Sequence, residues 1–176
     1  MLLVVGCSEN STTQKQKLSG GVFGTTWNLT YLDAPEGITR DQVETAVVGA
    51  FAVVDDSMNN YRADSTISQL NALDEMTVFE VDWDFALVFN TAFDIYIATD
   101  GAYDPSVSPL VNLWGFGPKE VIRRPSSEAI AALAPIVGLE EFAWDLSTRA
   151  FVKKHAKSEL DFSSIAKRCH LHRDFH

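Results

Sequence analysis

From Ala102 to Pro118 the chain has no hydrophobic period, yet it carries Pro105, Pro109, Gly115, Gly117 and Pro118 among Tyr103, Trp114 and Phe116. A run so interrupted cannot form a long helix or a central strand, because each proline lacks the N–H that either ladder requires. It is also poor in polar side chains, and loops of that composition are packed and shaped rather than floppy. The fold must hold this run on a scaffold supplied by the segments around it.

Those segments read clearly. Phe23, Thr25, Trp27, Leu29 and Tyr31 alternate with Gly24, Thr26, Asn28 and Thr30, the period of a strand. A turn over Asp33 to Gly37 leads to Thr39 and Asp41, which can cap a helix with Val43, Val47, Phe51, Val54 and Met58 on one face. Asn59 to Tyr61 break it, and Asp64-Ser65 can cap a short helix through Leu70. A strand near Met76 to Val81 precedes a second long helix from Asp84, with Val88, Ala92, Phe93 and Tyr96 sharing a face and Gly101 as its stop. Beyond the proline-rich run, a helix from Glu128 to about Val137 ends at Gly138. Phe142 to Leu146 and Ala150 to Lys154 form a hairpin, and Glu159 to Phe162 one more strand. No internal repeat is present, and the pattern is α+β, a mixed sheet with flanking helices.

The 176 residues are 46% hydrophobic and 22% charged, which suits one domain with a core and argues against general disorder. A net charge of −10 repels phosphate backbones and excludes nucleic acid as a natural partner, although a local pocket can still take a nucleotide. Cys7 and Cys169 lack CxxC partners, and Cys169, His170 and His172 are too crowded for the usual zinc spacing. No stretch approaches the roughly 20 apolar residues of a membrane helix. Met1 to Gly6 form an apolar run ending at Cys7, followed by a polar stretch from Ser8. This resembles the end of a bacterial lipoprotein signal, with Cys7 lipidated and residues 8–20 a tether; the alternative is a plain N-terminus with a chance cysteine.

Three clusters can carry chemistry. Asn60-Tyr61 with Asp64-Ser65 lies between helices, where Asp64 and Ser65 alone read first as a cap. The run Asp100 to Gly117 sets an acid and aromatics beside tight turns, suited either to stacking a planar heterocycle or to filling core. Asp161 to Lys167 puts hydroxyls, a carboxylate and a lysine at a strand end, a weak phosphate–metal signal by itself.

Taken in order, Phe23-Gly24-Thr25, Tyr61 with Asp64-Ser65 and Asn71, the run DGAYDPSVSPLVNLWGFGP, and Asp161 to Lys167 resemble the ApbE family of FAD:protein FMN transferases. The resemblance covers residues 20 to 167 and implies a T-fold-like domain over 21–167, with the C-terminal half missing. It implies FAD contacts at Phe23, Tyr61, Ala102, Tyr103, Asp104, Asp161 and Lys167, and a magnesium ligand at Ser164. It assigns no catalytic residue.

The reaction so implied is Mg²⁺-dependent transfer of FMN from FAD to a threonine hydroxyl of an acceptor protein, with release of AMP. The acceptor would be a subunit of a flavin-dependent redox complex. The enzyme would be lipid-anchored on the periplasmic side of the bacterial inner membrane. The alternatives are an FAD-binding envelope lipoprotein without transferase activity, because the second half is absent, and a non-catalytic lipoprotein whose loop aromatics are core. After Lys167 the family continues with glycine, an aromatic and a helix, whereas residues 168–176 here are rich in Arg, His and Cys. That tail reads as an out-of-frame ending.

Overall fold

Residues 14–32, 34–117 and 124–166 are described by a computed structural model, and the chain divides into two compact units, one ending at Phe51 and the other beginning at Ala52. In the first, the alternation at Trp27, Leu29 and Tyr31 is a strand, β2 (Thr25–Leu32), and these three are its less exposed residues. It pairs antiparallel with β1 (Lys15–Val22), from Lys15 opposite Leu32 to Val22 opposite Thr25. The polar tether expected over residues 8–20 therefore does not extend past Gln14. Its Lys, Ser and Gly composition hides a strand, because strand stability comes largely from cross-strand neighbours rather than intrinsic preference. Leu18 is buried, and a Cβ at Gly20 would fall 2.7 Å from Trp27 Nε1, so the indole lies over the glycine.

Phe23 and Gly24 join the strands as a two-residue turn, with φ of 49° and 70°. Left-handed conformations at both positions match the twist of a tight hairpin. Phe23 is thus a turn residue, not the first of the alternating positions. α1 (Arg40–Met58) opens on a reciprocal cap. The Gln42 N–H donates to Thr39 Oγ1 at 3.2 Å and the Thr39 N–H to Gln42 Oε1 at 2.8 Å.

The second unit holds α2 (Thr66–Ala72), β3 (Val78–Glu80), α3 (Trp83–Ala98), α4 (Ser108–Leu113), α5 (Ser127–Ala131), β4 (Phe142–Asp145) and β5 (Ala150–Lys153). β5 lies between β3 and β4, antiparallel to both. The core is aromatic. Phe85 and Phe89 of α3 meet Phe151 of β5 at 5.4 and 4.7 Å, and Phe162 packs edge-on against Phe85 at 5.3 Å. Each such pair adds roughly 0.5–1.5 kcal/mol beyond burial. Trp144 of β4 closes the cluster against Phe89 and Phe93.

Two expected elements differ. The helix expected over 128–137 stops at Ala131 and gives way to a 3-10 turn, Ala134–Ile136, because Pro135 has no N–H to continue it. The strand expected over Glu159–Phe162 makes only an isolated parallel bridge, Glu159 with Val107. The α+β reading holds, with both described sheets antiparallel.

Candidate functional site

The proline-rich run begins where α3 is forced to stop. Asp100 and Gly101 adopt φ of 51° and 76°, and the Gly101 N–H turns back to Tyr96 O at 2.9 Å. Ala102 emerges exposed, and the Tyr103 N–H donates to Thr99 Oγ1 at 3.1 Å. Asp104 then closes a turn on itself: its Oδ1 accepts the Ser106 N–H at 2.8 Å and the Ser106 hydroxyl at 2.6 Å. The Ser106 oxygen accepts the Gly138 N–H at 2.6 Å and is fully buried, so the loop is fixed from beneath.

The second loop lies directly alongside. The Asp161 N–H donates to Pro105 O at 2.8 Å, one step beyond the Glu159–Val107 bridge. Glu159 Oε2 accepts Asn112 Nδ2 at 2.6 Å and the Ser108 hydroxyl at 3.3 Å, tying α4 to this segment. Leu160 and Phe162 are fully buried, while Asp161 between them stays half-buried. Ser163 and Ser164 are exposed at the start of a helical turn in which the Ile165 and Ala166 N–H groups both reach Phe162 O. The Ser164 hydroxyl stands 3.5 Å from the Tyr103 phenol oxygen, the outer limit of a hydrogen bond.

Tyr103, Asp104, Asp161 and Ser164 thus belong to two adjoining loops, with Ala102 leading in. Tyr61 is on a third, its N–H bonded to Asn59 Oδ1 at 2.8 Å and the residue 70% exposed. Asn59 O accepts the Ser65 hydroxyl that caps α2, and at the far end of this helix Asn71 holds Leu160. Asn71 is six residues along the chain from Ser65, about 9 Å of helix rise. Beside Tyr61, Arg62 pairs with Asp55, Asp56 and Asp64. These carboxylates raise the guanidinium pKa, and the Arg62 bond holds Asp64 below the usual carboxylate range. Asp64 here serves Arg62, and Ser65 is the helix cap.

Phe23 lies in the first unit, its ring edge-on to Phe51 at 6.2 Å. Lys167, Cys7, Pro118 and the 168–176 tail, with Cys169, His170 and His172, lie outside the described residues.

Magnesium prefers six oxygens in a near-octahedral shell, usually with one or two carboxylates. Among the described residues no group of three His, Cys, Asp or Glu side chains is arranged to hold a metal ion. Asp161 Oδ1 is engaged by the Ser163 N–H at 2.7 Å. These residues alone do not make a magnesium shell. Burial, and then the charges of Glu140, Asp104 and Asp100, raise the Tyr96 pKa beside the first loop.

The ApbE family model matches residues 23–173, most of the chain and both loops. This chain belongs to the ApbE family. It is 33% identical to the FAD:protein FMN transferase of Vibrio cholerae over 170 residues, 95% of this chain and 49% of that protein. Identity to the Haemophilus influenzae FAD:protein FMN transferase is also 33%, over 88% of this chain and 46% of the relative. The solved structure of the flavin transferase ApbE from Vibrio cholerae superposes with a TM-score of 0.83 at 32% identity, covering 88% of this chain and 50% of that one. The chain therefore spans about half the length of the curated relatives it matches.

The residues that hold these two loops from behind are less legible in the sequence than the loops themselves. Ser106 was legible, since Asp-x-Ser marks a side-chain turn. Asn71 belongs to the family resemblance, which gives it no task. Glu159 and its donors Ser108 and Asn112 gave no local signal, because their partners are distant in sequence.

Proposed function

We propose that this chain supplies the flavin-nucleotide part of an FAD:protein FMN transferase. The observation that supports the reading is the pairing of the Ala102–Asp104 loop with the Asp161–Ser164 loop through the Asp161 N–H and Pro105 O, in a member of the ApbE family. The side chains lining this seam can bind a ligand by hydrogen bonding and stacking, with Tyr103 as the aromatic and Asp104 and Asp161 as acceptors. Phe23, Tyr61 and Lys167 are proposed as further FAD contacts.

In the proposed reaction a threonine hydroxyl of the acceptor attacks the FMN-side phosphorus of FAD. A new P–O bond forms, the bond to the AMP phosphate breaks, and the hydroxyl proton leaves with AMP as leaving group. Catalysis of such a step is mainly positioning and charge neutralisation. The proposal includes magnesium, toward which this chain offers the Ser164 oxygen; the described residues do not supply the rest of its shell. It also includes a redox-complex subunit as acceptor and a lipid anchor at Cys7 on the periplasmic side of the inner membrane, both from sequence resemblance. No helix among the described residues is long and apolar enough to cross a membrane.

The test combines equilibrium binding of FAD to the 176-residue chain with a transfer assay using FAD, Mg²⁺ and a threonine-containing acceptor. Transfer is read as flavin fluorescence that stays with the acceptor on a denaturing gel. Tyr103→Ala should weaken FAD binding on the order of tenfold, the loss of one stacking contact. Absence of both saturable FAD binding and transfer would sink the reading. Incorporation of a fatty-acid probe that Cys7→Ala abolishes tests the anchor separately.

A further inference from the structure

Lys153 ends β5 fully buried, a rare place for a lysine. Its Nζ donates to two main-chain carbonyls, Asn71 O and Ala156 O, both at 2.7 Å. An ammonium tolerates such a site only when its N–H groups are used and opposite charge is near. Glu159 and Asp74 supply that charge.

Each of the two carbonyls it grips belongs to a residue that leads, in space or along the chain, to the second loop. Asn71 is held by its main chain, and its carboxamide then bonds both sides of one peptide segment. Its Nδ2 donates to Leu160 O at 2.9 Å, and its Oδ1 accepts the Leu160 N–H at 2.8 Å. The side chain thus plays the part of a neighbouring strand for Leu160, which otherwise sits in irregular backbone. Ala156 belongs to the turn that leads into Glu159. Lys153 therefore bears on Leu160 through Asn71, while its bond to Ala156 O fixes the turn that precedes the segment; the next residue is Asp161, whose N–H fixes the two loops together.

We propose that Lys153 is a positioning residue: acting through Asn71, it sets the Leu160–Ser164 segment in the geometry that meets FAD. The latch stands on these hydrogen bonds, and its functional half rests on the flavin reading. A methionine at 153 fills similar space but cannot hold Asn71 O, so Lys153→Met separates the polar grip from mere filling. Lys153→Arg keeps donors and should restore part of it.

The experiment uses the 176-residue chain with two readouts. Amide hydrogen exchange needs no ligand: in Lys153→Met the Leu160 and Asp161 amides should exchange on the order of tenfold faster, as expected for a lost charged hydrogen bond, while those of Phe142–Asp145 keep their rates. FAD titration should show affinity reduced by about the same factor in Lys153→Met and in Asn71→Ala, the double variant being no weaker than either single one. If Lys153→Met does not fold, Asn71→Ala leaves the lysine in place and carries the same expectations. Exchange that is unchanged at Leu160, or accelerated equally everywhere, overturns the latch. Faster exchange at Leu160 with unaltered FAD affinity overturns the positioning role. A wild-type chain that binds no FAD refutes the flavin reading, and exchange still decides the latch.

Discussion

Burial lowers the Lys153 pKa below the ordinary lysine value, partly offset by Glu159 and Asp74. In the window between that lowered value and about 10.4, the unfolded chain binds a proton that the folded chain has released. Stability therefore gains from this residue as pH rises through that window, and the gain is absent below the folded pKa. The stability difference, wild type minus Lys153→Met, should climb with pH there; urea midpoints at several alkaline pH values measure it, and a flat or falling difference would contradict the assignment. Lys153 also shows why some residues are not legible in sequence. It shares the inward face of β5 with Phe151, since the buried positions are Phe151 and Lys153 and the half-exposed ones Ala150 and Val152. The period-2 pattern was present, but a charged side chain is read as outward by default. Only the carbonyls of Asn71 and Ala156, distant or folded back, explain its place. Asp104 was the opposite case, because its partner Ser106 is two residues away and the turn is written locally.

At the scale of elements the same distinction holds. α1 was legible because period and cap are both local, Thr39 with Gln42, and α3 by its run of apolar residues from Phe85, although its cap is Asp82 and not the Asp84 from which the sequence pattern starts it. β1 was not, since its partner strand supplies what its own Lys-Ser-Gly sequence lacks. α4 was missed because it is a six-residue helix entered through Pro109, too short to show a period. The central place of β5 is a non-local fact that no window of sequence contains. Asp82 joins elements as well as capping one. Its Oδ1 accepts the Phe85 N–H at 2.7 Å and the Ser57 hydroxyl at 3.0 Å, and its Oδ2 the Thr66 hydroxyl at 2.5 Å, so one carboxylate binds α1, α2 and α3. Ser126 caps α5 alone, accepting the Ala129 N–H at 3.2 Å. Ser126→Ala should cost about 1 kcal/mol, an ordinary cap. Asp82→Ala loses the cap and two bonds to a charged acceptor, each worth roughly 1.5–3 kcal/mol, and should cost at least twice as much. Denaturant unfolding compares them directly, and equal losses would show that Asp82 acts only as a cap.

For the whole molecule, β3 presents one edge to β5 and the other to no strand among the described residues. Val78 on it is 68% exposed, and Met76, Trp83 and Ile97 are exposed as well. An open edge bearing apolar side chains templates pairing with another copy. The net charge of −10 opposes that pairing by repulsion, which salt screens to within about 10 Å at 0.1 M. The chain by itself should therefore self-associate increasingly with concentration and with added salt, as light scattering would record. Two substitutions separate edge from charge. Val78→Lys brings the net charge nearer zero, and Val78→Glu takes it further away, yet either puts a charge on the β3 edge. If the edge drives association, both variants stay monomeric longer than the wild type. If net charge alone governs it, Val78→Lys associates more readily than the wild type and only Val78→Glu improves. The physical expectation is the first outcome, because an edge pair would have to desolvate whichever charge is placed there, whatever its sign.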